Sequence, residues 1–158
     1  MTVPVAKPMR VSAKADYAVR AAVELAAAAG EGPVKGETIS RAQEIPLKFL
    51  ENILLDMKQA GIVRSQRGPE GGYWLGQSPD GISVADVIRA VEGPLATVRG
   101  DRAEALAYHG AAESLQDMWV AVRASLRSVL ESVSLADIVS GSLPEHVFDL
   151  TQDPAAWH

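Results

Sequence analysis

The stretch IVRSQRGPEGGYWL, residues 62 to 75, does most to limit how this chain can fold. Two short β-prone pieces, IVRSQ and GGYWL, flank RGPEG, a spacing that predicts a hairpin with a glycine-rich loop. Upstream the periods are helical. Residues 1 to 10 contain prolines and no period; Ser12 then caps a helix whose stripe is Ala18, Ala21, Ala22, Leu25 and Ala29, ended by Gly30 and GEGP. A short helix is expected from about Glu37 to Gln43. A third has Pro46 in its first turn, runs to Ala60 and stops at Gly61. There Leu47, Leu50, Ile53, Leu54 and Met57 face inward, leaving Lys48, Glu51, Asn52 and Lys58 toward solvent or a partner.

Three helices followed by a hairpin is the order of a winged helix-turn-helix, here over residues 10–80. A loop, GQSPDGI, leads into a capping box of Ser83 with Asp86 and a short helix closed by EGP at residues 92 to 94. Residues 81–110 read as this connecting helix and the loop after it. From about Ala111, apolar residues at Leu115, Met118, Trp119, Val122, Leu126, Val129, Leu130 and Val133 hold a helical period. A second box, Ser134 with Asp137, predicts a break near Val133 and a short helix ending at Gly141. An amphipathic helix outside a small domain has to cover its stripe, and a second copy of the chain is the simplest cover. Residues 111–141 are therefore expected to be dimerisation helices. In the tail, 142–158, Phe148 and Trp157 are candidates to pack on the body. The fold class is mainly α with a small β-hairpin wing.

With 158 residues, 47% of them hydrophobic, the chain can bury the core of one domain with an appended element. It contains no cysteine, which excludes disulfides, thiolate nucleophiles and cysteine-ligated zinc or iron–sulfur sites made by this chain alone. That absence allows the expected cytoplasmic location, and the run AVRAAVELAAAAG, interrupted by Arg20 and Glu24 and lacking a secretory charge pattern, reads as a soluble helix, so no membrane span is expected. The net charge of −5 is unevenly spread. Residues 1 to 76 carry ten Lys or Arg against eight Asp or Glu, and residues 77 to 158 carry five against twelve. The basic side chains thus belong to the helix-turn-helix half.

A hairpin tip entering a DNA minor groove, about 6 Å wide, has to be thin and to carry a cation. Gly68, Gly71 and Gly72 supply thinness and permissive backbone angles, and Arg67 the charge. The competing reading is a plain turn with solvated arginines. The start of a second helix-turn-helix helix lies in the major groove, and here it is IPLKFLEN. Lys48 can meet guanine or phosphate and Glu51 can accept from cytosine N4; alternatively the two form a solvated helical pair of little consequence.

The segments SAKADYAVRAAVELA, IPLKFLENILLDMKQAGIV, RSQRGPEGGYWL and ISVADVIRAVEGP resemble the Rrf-two type family of bacterial winged-helix repressors, and the resemblance covers nearly the whole chain. RGPEGGY following AGIVRS is its most specific part. The resemblance implies DNA contacts from Pro46, Leu47, Lys48, Glu51 and Asn52, and an arginine in the minor groove, Arg67, supported by Gly68. It implies a symmetric homodimer in which the long helix crosses its counterpart through Leu115, Met118, Trp119, Val122, Leu126 and Val129. The operator is then a near-palindrome in double-stranded DNA, with half-sites about one helical turn, or a multiple of it, apart.

The chain also departs from the family. Cluster-binding members carry three cysteines between the helix after the wing and the dimerisation helix, where this chain has LATVRGDRAEALAYHGAAES. No cofactor is expected. That segment occupies the family's sensing position, so the resemblance makes 81–110 a connecting helix with a candidate sensing loop. In that loop Arg99, Arg102 and Tyr108 are candidates to line a pocket for an unidentified small anionic effector or a regulatory protein's tail. His109 is a candidate ligand or proton-sensitive group, against the plainer reading of a surface or interface histidine. No enzyme is expected: His109, His146 and His158 lie in unrelated contexts, no phosphate-binding glycine loop joins a strand to a helix, and no serine sits in a nucleophile elbow. The alternative function is a winged-helix protein-interaction module whose DNA binding is secondary or lost.

Overall fold

The structure, a computed structural model, describes residues 10–158; nearly all of the proline-containing opening stretch lies outside them. Three helices, α1 (Ala13–Ala27), α2 (Gly36–Gln43) and α3 (Leu47–Gln59), precede a hairpin of β1 (Val63–Gln66) and β2 (Gly72–Leu75). Four more follow: α4 (Val84–Glu92), α5 (Leu115–Leu130), α6 (Leu135–Ser140) and α7 (Glu145–Leu150). The strands pair antiparallel with Val63 opposite Leu75, Arg64 opposite Trp74 and Ser65 opposite Tyr73.

Local chemistry explains most boundaries. The Ser12 hydroxyl accepts from the Ala15 N–H at 3.0 Å to open α1, and it also donates to Glu92 at the far end of α4. Both capping boxes form: Ser83 and Asp86 open α4, and Ser134 and Asp137 open α6. Gly93 (φ 84°) and Gly141 (φ 72°) end those helices in angles that side-chain-bearing residues avoid. Pro46 stands one position earlier than expected, at the N-cap of α3, and its carbonyl accepts from the Leu50 N–H at 2.9 Å.

The core lies between α1, α3, α4 and the hairpin. Leu25, Ile39, Ile45, Leu50, Ile53, Leu54, Met57, Val63 and Val87 are fully buried. Burying one such side chain contributes about 1.5–3 kcal/mol. Small residues on α1, namely Ala15, Ala18, Ala21, Ala22 and Ala26, let the other helices close on it. Ala29 lies past the end of α1 and is exposed, so the buried stripe finishes at Ala26. In α3 Leu50, Ile53, Leu54 and Met57 are buried as expected, while Leu47 is half-buried.

The C-terminal helices depart from the sequence reading in two ways. α5 is shorter at both ends than 111–133, because Gly110–Ala112 form a 3-10 turn and the chain leaves the helix after Leu130. The chain then returns to the body: Ser134 bridges to Ser83, the Val84 N–H donates to the Val133 carbonyl at 2.9 Å, and Leu135 of α6 is fully buried in the core against α1. Within 111–141, α6 therefore belongs to the body, and α5 touches it at its C-terminal end, where Val129 and Leu130 pack against Val84 and Val133. Val147 of α7 joins Val84 and Val133 in a second small cluster. Phe148 and Trp157, expected to pack on the body, are 51% and 71% exposed; Val147, one position earlier, takes the inward place on α7.

Candidate nucleic-acid interface

The placement of α3 begins at the turn before it. Glu44 adopts a left-handed conformation (φ 53°, ψ 46°), and the Ile45 N–H returns to the Ser40 carbonyl at 3.0 Å, dropping Ile45 into the core. Arg20 of α1 secures this corner. Its guanidinium donates to the Gln43 carbonyl at 2.7 Å, where the C-terminus of α2 is electronegative, and to Asp16 at 3.0 Å. It also lies 4.7 Å from the centre of the Tyr17 ring, which meets Phe49 edge-on at 5.6 Å. Further along, Lys14 pairs with Asp56 at 2.9 Å. The sequence carries little sign of this support beyond an aromatic, Tyr17, and an arginine, Arg20, one turn apart in an alanine-rich helix.

The wing is held to the body by its glycines. Tyr73 exchanges two backbone hydrogen bonds with Val34, at 2.7 and 2.8 Å, so the Val34 segment flanks β2. A Cβ on Gly72 would stand 2.6 Å from the Val34 carbonyl oxygen, and one on Gly71 2.1 Å from that of Gln66. Both positions admit only glycine, and the cause is close backbone packing rather than thinness alone. Gly68 differs: the space around it is open, and its φ of 101° is what favours glycine. Its carbonyl accepts from the Gly71 N–H at 2.9 Å, closing a turn with Pro69 next to it. Arg67 stands exposed at the start of that turn.

Between α3 and the wing lies a cleft of about 520 Å³, lined by Glu51, Asn52 and Lys58 on one side and Ser65, Gln66, Arg67 and Gly68 on the other. Four residues singled out in the sequence, Glu51, Asn52, Arg67 and Gly68, thus meet in one concavity. Pro46, Leu47 and Lys48 lie outside its lining: Pro46 and Lys48 are exposed at the start of α3, and Leu47 is half-buried against the wing side, near Gly36. The chemistry is mixed. Lys58 and Arg67 can meet phosphate, the Asn52 amide can pair with adenine, and the Glu51 carboxylate can accept from cytosine.

The segment after α4 places the other candidates. Arg102 lines a second cleft, about 470 Å³, with Arg89, Arg123, Arg127 and Glu104; Arg99, Tyr108 and His109 are not among its lining residues. Arg99 is exposed with φ 53°, next to a bridge between Val98 and Asp101, while His109 is exposed and precedes the 3-10 turn into α5. The Glu104 carboxyl is held below the usual carboxylate range by a backbone hydrogen bond and by the Arg123 guanidinium beside it. On α5, no residue is buried by the described residues: Leu115, Trp119, Val122 and Val129 are half-buried, and Met118 and Leu126 are 44% and 40% exposed. His146 of α7 lies 3.1 Å from the Ser128 carbonyl and ties the end of α5 to the tail.

The sequence model of the family Rrf2, described as iron-dependent transcriptional regulator, matches residues 11–141. The provisionally named HTH-type transcriptional regulator Rv1287 of Mycobacterium tuberculosis is 51% identical over 145 residues, covering 92% of this chain and 90% of that protein. The structure of CymR, the global cysteine regulator of Bacillus subtilis, superposes with a TM-score of 0.72 at 33% identity, covering 85% of this chain and 99% of that one. IscR of T. potens superposes with a TM-score of 0.69 at 34% identity, over 84% and 88% of the two chains. The iron in the family's description finds no match in the donor set. The chain has no cysteine, and among the described residues no group of three or more His, Asp or Glu is placed to hold a metal ion.

Proposed function

The chain belongs to the Rrf2 family of helix-turn-helix transcriptional regulators, and from that premise we propose that it is a homodimeric repressor of a near-palindromic operator. The observation that carries the reading is the cleft in which Glu51 and Asn52 of α3 face Arg67 and Gly68 of the wing. A duplex seated there meets the start of α3 in the major groove, with Pro46, Leu47 and Lys48 at the entry, and Arg67 in the adjacent minor groove. Phosphate contacts set register and affinity, and α3 with groove shape supplies specificity. The partly covered stripe of α5, on which Met118 and Leu126 are exposed, pairs with its copy and sets the spacing of the two recognition helices. With no thiolate for a cluster, the signal is an effector or a regulatory protein acting at the segment after α4. We place the protein in the cytoplasm, beside its DNA.

Selection of genomic fragments by the purified protein tests this, with Arg67→Ala run in parallel. A shared palindrome that the variant fails to enrich is the expected result; indifferent fragments from both proteins count against it. A second reading, an interaction module whose DNA contact is secondary, draws on the exposed Phe148, Leu150 and Trp157 of the acidic half. Affinity that falls steeply with salt and is lost in Arg67→Ala favours DNA, since neutralising several phosphates produces that slope while a protein interface need not.

A further inference from the structure

Residues 77 to 158 contain only five basic side chains among twelve acidic ones, and four of the five line a single cleft. Arg89 comes from α4, Arg102 from the following loop, and Arg123 and Arg127 from successive turns of α5; of the twelve acids only Glu104 shares the lining. Like charges converge in this way at a cost, so the site calls for an anion. Two glutamates partly supply it from the flanks. Glu104 pairs with Arg123 and stands 4.0 Å from Arg102, while Glu131 pairs with Arg89 and stands 3.5 Å from Arg127. The cluster of four arginines and two glutamates keeps two positive charges in a chain whose net charge is −5.

We propose that this cleft binds a small organic dicarboxylate, one carboxylate on the Arg102–Arg123 pair and the other on the Arg89–Arg127 pair. In each pair one guanidinium, that of Arg123 or of Arg89, already hydrogen-bonds a carboxylate of the protein while the other stands within 4.0 Å of it, and a guanidinium fork can match a carboxylate in a bidentate way. Gly93, Pro94 and the buried Leu95 give the carbon spacer an apolar wall, and a cleft of about 470 Å³ falls in the range of small-ligand sites. The consequence rests on the regulator reading. α4 packs on α1 and α3, so a ligand bridging α4 to α5 fixes the dimer helix relative to the DNA-binding unit.

Calorimetric titration of the full chain with malonate, succinate and glutarate tests the site, with acetate and sodium chloride at matched ionic strength beside them. Saturable binding that prefers one spacer length is expected, weakened about tenfold in Arg102→Gln, which removes one charged hydrogen-bonding partner. Glu104→Gln removes a competing carboxylate and should tighten binding, the opposite of what a merely structural role predicts. The proposal is overturned if no dicarboxylate binds saturably, if acetate or chloride does as well, or if Arg102→Gln binds like wild type. Operator binding measured on the same samples stands apart: DNA affinity without dicarboxylate binding sinks this site alone, and the reverse sinks the regulator reading alone.

Discussion

Arg67 and the glycines around it do separable jobs. Arg67 is exposed and its side chain is not needed to build the hairpin, so Arg67→Ala is expected to weaken operator binding and lower the salt slope of the affinity by about one, with folding and dimerisation unchanged. Fluorescence anisotropy across a salt series measures this. Gly71 serves the fold instead. A Cβ there meets the Gln66 carbonyl, so Gly71→Ala should destabilise the chain by about 1–3 kcal/mol in urea unfolding. Gly68→Ala faces open space and only the strain of a positive φ, about 1 kcal/mol. A larger loss at Gly68 than at Gly71 would contradict this division.

At the scale of elements, helix ends are set by side chains and helix positions by neighbours. Ser83→Ala removes the cap of α4 and leaves the Asp86 N–H without its partner, at a cost of about 1 kcal/mol in thermal or urea unfolding. The helix should persist, since Val84, Ala85, Val87 and Val91 remain buried. α3 is positioned by Arg20 on the Gln43 carbonyl and by the Tyr17–Phe49 contact. Local sequence could announce α3 and its apolar face but not these supports, because they join residues far apart in the chain.

At the scale of the whole molecule, the described residues of the single chain bury no residue of α5 completely. Leu126 lies in its C-terminal half and is 40% exposed, so Leu126→Glu leaves the core of the chain untouched while placing a charge in the proposed interface. Sedimentation equilibrium should show a dimer for wild type and a monomer for the variant. Operator affinity should fall by far more than the loss of any one contact, because two half-sites are then no longer bound together. A dimer that survives Leu126→Glu, with the circular dichroism of the native helices, would move the interface elsewhere. α6 is not part of that interface argument, since Leu135 is already committed to the core.

By itself the sequence determined the features that repeat or cap locally. These are the three helices and hairpin in order, the boxes at Ser83 and Ser134, the buried faces of α1 and α3, and the lack of any thiolate. Such features depend on residues within a turn or two of each other, so their physical cause is visible in a line of text. Tertiary structure alone decided that Gly71 and Gly72 are glycines because backbones approach them, that α6 folds back onto α1, and that Val147 rather than Phe148 or Trp157 is buried. It also gathered Arg89, Arg102, Arg123 and Arg127, spread over 39 positions, into one cleft, and left Arg99, Tyr108 and His109 out of its lining. Convergence of that kind is set by how α4 and α5 pack, a property of the folded surface that no local pattern encodes.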